Sequence, residues 1–401
     1  MSTRVSIGWP ITDRREIAAV MHVLKQGRLS QGPFVRAFED AWARAVGRRT
    51  AIAANSGSSA NLIALLAVKE RYGWKDGDFV AVPALTFATA VMPVLQAGLR
   101  PLWVDVDERG NMTLEALEHA AAGAKRLRGI VLVHSLGVPC LDAPKIVRWA
   151  RRHRIRILED GCESHGAKVG KTIVGGFGDA STTSFYVAHN MTAGEGGMIA
   201  TDDAKLADLC RSIREFGRRI TNERFVKLAS GSRYDVRYAF DRLGYNLRMT
   251  DLHAAIGMVQ LEKLPAMNRK RRAIVAAYWR AFGKLIRDEK LFLPEEPKSS
   301  FNTYYALQVT LRQLPPGCRD AADVAAALER VGVETRRFMG GNLLRQYAFL
   351  GQDTPKPDAF PVADFLHNRA LLIGCHPAIK NQDIKRIARV LEELYYRRSE
   401  K

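Results

Sequence analysis

The sequence predicts an α/β fold, with a mainly parallel central sheet covered by helices and a smaller C-terminal α+β domain. Three observations predict it. Short apolar runs alternate with segments whose apolar residues recur at helical spacing, and this alternation is typical of a parallel sheet with helices on both faces. A chain of 401 residues can bury one large core and a second, smaller one. One long helical stretch separates the alternating part from the remainder.

The strands of this sheet are predicted where apolar runs are bounded by turn residues. The runs are residues 79–87, 102–107, 129–137, 154–161, 181–186 and 197–203. Helical patterns such as TLEALEHAAAGAK and APKIVRWARRHR lie between several of them. Ligands of a parallel sheet bind at the carboxyl ends of its strands. The candidates for a site are therefore Asp160, Ser184 and the residues just after them.

Two domains are predicted, a large one over residues 1–262 and a smaller one over residues 263–401. The helix that joins them runs from TDLHAAIGMVQLEKL through RKRRAIVAAYWRAFGKLI. Pro265 lies inside this pattern and is expected to kink the helix, because proline lacks the backbone N–H that a helix interior uses.

The formal net charge of +19 calls for an anionic partner. The arginines between residues 211 and 248 are interleaved with other residue types, without a recognition helix, zinc-finger spacing or an aromatic RNA-binding motif. A small phosphorylated substrate accounts for the same charge. We therefore expect no nucleic-acid partner.

The N-terminus, MSTRVSIGWPITDRREI, lacks a basic segment followed by an apolar one, and no run of about 18 apolar residues occurs. We expect a cytoplasmic protein with no membrane partner. The five cysteines lie far apart, without a C-x-x-C pair or a histidine at metal-finger spacing. No metal site is expected.

A phosphate site is predicted where NSGSSANLIALLAV passes from small polar residues into a helical pattern. A helix N-terminus presents backbone N–H groups without helical partners and the positive end of the helix dipole. Gly57, Ser58 and Ser59 would surround the phosphate. An ordinary serine N-cap gives the same pattern.

Asp160 ends a buried strand in ILEDGCESHGA, where a carboxylate needs a charged or hydrogen-bonding partner. One such partner is the protonated nitrogen of a pyridine ring. A helix-capping aspartate is the alternative. Phe87, in LTFATA, either stacks on that ring or belongs to the core.

Six motifs, in this order, resemble the sugar aminotransferase and dehydratase family of pyridoxal phosphate (PLP) enzymes, of the DegT/DnrJ/EryC1/StrS type. They are GRLSQGPFVRAFED, NSGSSANL, PALTFATA, LEDGCESHGA, SFYVAHNMTAGEGGMIAT and LGYNLRMTDLHAAIGMVQLEKL, and the match runs from about residue 8 to 270. The resemblance implies the aspartate aminotransferase fold, that of fold type I PLP enzymes. It also implies a homodimer whose active sites lie between the subunits.

The resemblance also implies the roles of individual residues. Asp160 would pair with the pyridine nitrogen, and Phe87 would cover the ring face. The cofactor phosphate would be held by Gly57, Ser58 and Ser184, and by Asn246 of the second subunit. Three residues close to Asp160 in sequence would orient the ring or contact substrate: Glu163, Ser164 and His165.

His189 stands where the aminotransferases of this family carry the lysine that forms an imine with PLP. An imidazole cannot form that imine, so the cofactor is expected to bind without a covalent link and to rest as pyridoxamine phosphate (PMP). The nearest lysines in sequence, Lys168, Lys171 and Lys205, match no imine-forming position.

A histidine at this place resembles one branch of the family, the enzymes that remove the 3-hydroxyl of nucleotide-linked 4-keto-6-deoxyhexoses. The motif SFYVAH is similar to the GDP-4-keto-6-deoxymannose 3-dehydratase type. The CDP-linked type carries an iron–sulfur cluster on cysteines that this chain lacks between Phe216 and Arg248. We therefore expect no iron–sulfur cluster.

The resemblance thus implies a PMP-dependent 3-dehydratase in deoxysugar biosynthesis, with L-glutamate restoring the amine form of the cofactor. His189, whose ordinary pKa of about 6.5 allows it to accept a proton near neutrality, would be the catalytic base. The alternatives are a nucleotide-sugar aminotransferase and a non-catalytic cofactor-binding relative. For His189 itself, the alternative is a buried histidine satisfied by neighbouring backbone.

Overall fold

The computed structural model describes residues 4–351 and 354–396. The strands are β1 (Thr50–Ala54), β2 (Phe79–Pro83), β3 (Arg100–Val104), β4 (Leu127–Val133), β5 (Arg156–Asp160), β6 (Lys168–Val169), β7 (Thr172–Ile173), β8 (Ala180–Ser184), β9 (Gly197–Thr201), β10 (Phe225–Lys227), β11 (Arg233–Asp235), β12 (Leu291–Phe292), β13 (Ser300–Phe301), β14 (Leu307–Leu311), β15 (Thr335–Arg337) and β16 (Ala370–Ile373). The helices are α1 (Arg14–Gln26), α2 (Pro33–Val46), α3 (Gly57–Arg71), α4 (Met92–Gln96), α5 (Leu114–Ala121), α6 (Ala143–Arg152), α7 (Ala204–Arg214), α8 (Asp251–Ala281), α9 (Gly283–Arg287), α10 (Ala321–Arg330), α11 (Pro361–Arg369) and α12 (Asn381–Tyr396).

The centre of the molecule is a seven-stranded sheet of order β1-β9-β8-β5-β4-β2-β3. The pairs from β3 through β2, β4 and β5 to β8 are parallel, whereas β9 is antiparallel to both of its neighbours. The prediction of an α/β fold with a mainly parallel sheet is confirmed. All six predicted runs overlap a strand of this sheet, and β1 is the strand of the sheet that the sequence patterns missed.

Both faces of the sheet are buried, as its strand sequences require. Along β4, Ile130 and Leu132 pack against α5 and α6, whereas Val131 and Val133 pack on the opposite face in the cluster that contains residues of α3 and α7. Side chains of a strand alternate between the two faces, so a strand that is buried on both sides must be apolar throughout.

Helix ends follow local sequence signals. Asp13 caps α1 in a capping box with Glu16, and Gly27 ends that helix in the left-handed conformation at φ 70°. Pro33 starts α2, where its missing N–H costs nothing.

The C-terminal part contains a four-stranded antiparallel sheet of order β12-β14-β16-β15. It shares one hydrophobic cluster with α8, α10 and α12. Val5 belongs to this cluster and bridges to Val333, so the start of the chain packs with the C-terminal part. The predicted domain boundary, between residues 262 and 263, falls inside α8, which continues as a helix through Pro265.

A buried ion pair joins α8 to α1. Lys263 Nζ lies 2.6 and 2.7 Å from the two carboxylate oxygens of Glu16, and Gln260 Nε2 donates to the same carboxylate at 2.6 Å. Burial acts to raise the pKa of Glu16, but the hydrogen bonds from Lys263, the Asp13 N–H and Gln260 outweigh it and lower that pKa. The charged pair thereby fixes the first helix against the longest one.

No helix in residues 4–351 and 354–396 combines the length and the apolar character needed to cross a bilayer.

Lys263→Met is expected to lower the free energy of unfolding by about 3 kcal/mol, because it leaves the buried Glu16 carboxylate without its cation. Urea denaturation measures the loss. Lys145→Met is the control, since it removes an exposed pair with Asp142 and is expected to cost less than about 1 kcal/mol. Equal losses in the two variants would contradict the stabilising role of the buried pair.

Candidate functional site

A cavity of about 370 Å³ opens at the edge of the central sheet where the parallel strands end. Seven of the predicted site residues line it: Gly57, Ser58, Phe87, Asp160, Glu163, Ser184 and His189. Ser59 and Asn246 are not among its lining residues. The topology explains the gathering, because the carboxyl ends of neighbouring parallel strands meet at one edge.

The N-terminus of α3 forms one wall of this cavity. Ser56 is the N-cap, and its hydroxyl accepts the N–H of Ser59 at 3.1 Å. The ordinary serine N-cap is therefore present, with Ser56 as the cap and the Ser59 N–H as its donor. The helix itself offers no acceptor to the N–H groups of Gly57 and Ser58. These two groups and the dipole of α3 form a cradle for an anion.

Gly57 has no room for a side chain. A Cβ at this position would lie 2.5 Å from the Cβ of Ser184, at the end of β8. The close approach brings the Ser184 hydroxyl to the start of α3, so one glycine sets the width of the anion cradle.

The carboxylate of Asp160 forms the floor of the cavity and is 6% exposed. Asn61 Nδ2 donates to Asp160 Oδ2 at 2.9 Å, and Asn61 Oδ1 accepts the Thr182 hydroxyl at 2.5 Å. The N–H of Cys162 donates to Asp160 Oδ1 at 3.0 Å. Asp160 caps none of the described helices. Its carboxylate is held in place by Asn61 of α3, which is itself bound to Thr182 of β8, and by the backbone that follows its own strand β5.

Phe87 is 54% exposed, so it is not part of the core. It follows β2 and lines the cavity together with its neighbour Thr86, whose buried hydroxyl has no hydrogen-bond partner in the described part of the chain. The ring and this hydroxyl are thus available to a ligand.

Glu163 accepts the N–H of Leu136 at 2.8 Å. Burial, together with the nearby charge of Asp160, outweighs that hydrogen bond and raises the pKa of Glu163 to about 8. The carboxyl group is therefore mainly protonated at neutral pH and can donate a hydrogen bond into the cavity.

His189 follows β8 in a turn where its backbone N–H donates to the Tyr186 carbonyl at 3.0 Å. Its ring lies among those of Tyr305, His165 and Tyr186, with centroids 5.1, 5.9 and 6.0 Å away. Nδ1 is buried and has no hydrogen-bond partner among the residues that the structure describes. The ring is therefore not the backbone-satisfied histidine of the alternative interpretation.

The imidazole of His189 is held neutral. Burial is the main cause, and the nearby His165 and Arg271 add to it, so that the pKa of His189 lies well below its ordinary value. A neutral imidazole carries a lone pair, which is the form that accepts a proton.

Several residues of this region escaped the sequence analysis because they come from distant helices and loops. Asn268 and Arg271 lie on α8, where Asn268 Nδ2 donates to the His165 carbonyl at 2.9 Å. Arg271 is 1% exposed and donates to the carbonyls of Tyr304 and Tyr305 at 3.1 and 3.0 Å. The helical spacing of α8 predicted a buried face, but not which site it would support.

The residues present fit a pyridine ring that carries a phosphate. The Asp160 carboxylate suits a protonated ring nitrogen, Phe87 offers a face for stacking, and the start of α3 offers N–H groups to a phosphate. The partnerless hydroxyl of Thr86 is a further donor at the cavity wall. Within the described residues, no lysine lines the cavity.

Gly57→Ala is expected to reduce the free energy of unfolding by about 1–3 kcal/mol and to weaken PLP binding, because the new methyl group pushes β8 away from the start of α3. Thermal unfolding and a spectrophotometric PLP titration measure the two effects. Gly123→Ala is the matched control, since a Cβ there meets no atom within 4 Å. An unchanged PLP affinity in Gly57→Ala would rule out the cradle.

Glu163 makes the stability of the cofactor-free protein depend on pH. Because its pKa is raised from 4.5 to about 8, the folded state holds a proton that the unfolded state releases in that range, so stability falls as the pH rises through it. Glu163→Gln, which is neutral at every pH, is expected to reduce this fall by about 1 kcal/mol or more. Urea denaturation at about pH 5 and pH 8.5 tests this, with the exposed Glu118→Gln as control. The same fall in wild type and Glu163→Gln would refute the assignment.

Comparison with known proteins gives a consistent family. Residues 10–392 match the DegT/DnrJ/EryC1/StrS aminotransferase family. A dTDP-4-dehydro-2,6-dideoxy-D-glucose 3-dehydratase of Saccharopolyspora spinosa is 32% identical over 98% of this chain and 87% of its own. A UDP-N-acetyl-3-dehydro-alpha-D-glucosamine 3-aminotransferase of Acidithiobacillus ferrooxidans is also 32% identical, over 84% of this chain and 82% of its own.

Comparison with solved structures supports the same family. E. coli GDP-4-keto-6-deoxy-D-mannose-3-dehydratase with bound hydrated PLP has a TM-score of 0.87 and 26% identity, covering 98% of this chain and 100% of that one. The relatives include both dehydratases and aminotransferases of nucleotide-linked sugars. The chain has the fold of the type I PLP enzymes, and it belongs to the DegT/DnrJ/EryC1/StrS aminotransferase family.

Proposed function

We propose that this protein is a PMP-dependent 3-dehydratase of a nucleotide-linked 4-keto-6-deoxyhexose, with L-glutamate restoring the amine form of the cofactor. One observation carries the proposal. A neutral imidazole, that of His189, lies in the cavity at the position where the aminotransferases of the family are expected to carry a lysine. Among the described residues that line the cavity, none is a lysine.

The cofactor would be held by contacts on three sides. Asp160 pairs with the ring nitrogen, Phe87 covers one ring face, and the N–H groups of Gly57 and Ser58 bind the phosphate together with the Ser184 hydroxyl. When bound, PMP supplies an amine for the sugar ketone and a ring that withdraws electrons from the adjoining carbon. The charge of Asp160 maintains the protonated ring nitrogen that this withdrawal requires.

His189 acts as the base. In its neutral form it would accept, at Nε2, the proton that the carbon bearing the PMP amine must lose. Nε2 is available for this because, unlike Nδ1, it is not among the buried unpaired atoms of the described residues. His189 then returns this proton to the 3-hydroxyl oxygen as that group departs, so that the same imidazole serves as base and acid.

The absence of a lysine amine has a chemical consequence for the sugar. A lysine at position 189 would compete with PMP for the carbonyl groups in the site. It would thereby favour release of the sugar product after amino transfer. An imidazole does not compete in this way, so elimination of the 3-hydroxyl has time to occur.

Two further features of the site bear on the substrate diphosphate and on a second subunit. Arg336 and Arg337 lie at the cavity and suit the diphosphate of a nucleotide sugar, in keeping with the net charge of +19. Asn246 is exposed and lies outside the cavity of its own subunit, as a residue that serves a partner's site would. We therefore propose a homodimer with shared active sites.

Sequence identity alone does not decide between the two reactions, because a dehydratase relative and an aminotransferase relative are both 32% identical to this chain. The aminotransferase activity is accordingly the second candidate, and the side chain at position 189 is the feature that separates the two.

Product analysis tests the proposal. The protein is incubated with PLP, L-glutamate and 4-keto-6-deoxyhexoses linked to GDP, CDP, dTDP or UDP. Loss of one oxygen atom from the sugar, with release of ammonia and 2-oxoglutarate, is expected for one of them. His189→Asn is expected to lower this rate at least about 100-fold while still binding PLP, because it removes the proton acceptor.

Two other results would overturn the proposal. An amino group in place of the sugar ketone would establish an aminotransferase. Binding of PLP without consumption of glutamate or of any of the sugars would indicate the non-catalytic relative.

A further inference from the structure

Two buried ring nitrogens near the cavity lack hydrogen-bond partners within residues 4–351 and 354–396. They are Nδ1 of His165 and Nδ1 of His189, and the centroids of the two rings are 5.9 Å apart with an interplanar angle of 49°. A buried polar atom that stays unpaired destabilises the folded protein, because it loses its hydrogen bonds to water. Two such atoms on neighbouring rings therefore require an explanation.

The proton of His165 can be placed from its other nitrogen. His165 Nε2 lies 2.8 Å from the carbonyl oxygen of Ser184, and a carbonyl only accepts hydrogen bonds. Nε2 therefore carries the hydrogen. Burial lowers the pKa of His165 to about 4, so the ring is neutral and its Nδ1 holds a bare lone pair.

The surroundings of His165 narrow the choice of a donor for that lone pair. Phe185 and Trp42 pack on its ring, with centroids 5.8 Å away in both cases, and neither gives Nδ1 a hydrogen bond. His189 is the neighbouring ring with a free nitrogen of its own. Tyr186 and Tyr305 also lie beside His189 without bonding to its Nδ1, and Arg271, whose Nε is likewise unpaired in the described part of the chain, acts on both rings through its charge.

We propose that His165 is a positioning residue that holds the proton of His189 on Nδ1, and so leaves Nε2 of His189 as the free base in the cavity. A direct hydrogen bond from His189 Nδ1–H to His165 Nδ1, which requires the two rings to turn toward each other and to approach by roughly half an ångström, satisfies both buried atoms at once. The inference rests on the proposed role of His189 as the base.

The arrangement determines which nitrogen can act. A neutral imidazole carries one hydrogen, and the hydrogen bond of one nitrogen sets the state of the other. If the hydrogen were on Nε2, the lone pair would point into the protein and could not reach a ligand. The Ser184 carbonyl thus holds the hydrogen of His165 on Nε2, and His165 in turn holds the hydrogen of His189 on Nδ1.

The test is the tautomer of His189, read from nitrogen chemical shifts of the PLP-loaded protein labelled with ¹⁵N-histidine. The His189 signals are identified by their loss in His189→Asn. The wild-type protein is expected to show hydrogen on Nδ1. Hydrogen on Nε2 in the wild type would overturn the inference without any other variant.

Two substitutions of His165 separate its two contacts. His165→Gln retains an amide N–H for the Ser184 carbonyl but offers no acceptor at the Nδ1 position. His165→Asn places an amide oxygen there. The hydrogen of His189 is expected to move to Nε2 in the glutamine variant and to remain on Nδ1 in the asparagine variant. An unchanged tautomer in the glutamine variant would contradict the inference.

Turnover gives a second measurement. With the sugar substrate, His165→Gln is expected to lower kcat at least about tenfold with KM unchanged, and His165→Asn to restore most of the loss. An unchanged kcat in the glutamine variant would again count against the inference. The tautomer is measured without turnover, so failure of the proposed dehydratase activity would be distinguishable from failure of this inference.

Discussion

The hydrogen bond between Asn61 and Asp160 is the contact on which the rest of the site depends. It ties the first turns of α3 to the end of β5, and through the Thr182 hydroxyl it also reaches β8. The anion cradle, the carboxylate floor and the turn that carries His189 belong to these three elements. Their relative positions are therefore set by one amide side chain that is 2% exposed.

A buried arginine lies beside the site. Arg271 is buried, and in the described part of the chain its hydrogen bonds go to backbone carbonyls and, weakly, to the Cys375 sulfur, with no carboxylate within ion-pair distance. A buried cation of this kind disfavours protonation of nearby imidazoles. It contributes to the low pKa values of His165, His189 and His376. One arginine on α8 thus helps to keep three histidines in the form that accepts a proton.

Much of this architecture could be predicted from the sequence. The alternation of strands and helices predicted the α/β fold, because the spacing of apolar residues that distinguishes a strand from a helix is set by residues close together in the sequence. Asp160 and Ser184 could be placed because strand ends in a parallel sheet share one edge. By contrast β1 escaped the pattern, since TAIAA is short and consists mostly of alanine, a residue that does not favour strands.

The supporting residues could not be predicted for a different reason. Asn61 and Arg271 reach the site from helices that are distant in the chain, and nothing in their local sequence specifies such a contact. His165 is predicted beside Asp160, but its contact with His189 is not. Ser59 was named with Gly57 and Ser58 because all three follow one another, whereas the helix geometry uses the Ser59 N–H for its own cap. Its phosphate role and that of Asn246 stay predictions.

The length of α8 links folding to chemistry. This helix contacts α1 through Lys263, supports His165 through Asn268 and reaches the Tyr304–Tyr305 segment through Arg271, and its later residues pack in the core of the C-terminal sheet. Neither sheet can loosen without shifting groups around His189. The two parts of the chain therefore form one cooperative unit, and neither half is expected to survive as an independently folded fragment with an intact pocket.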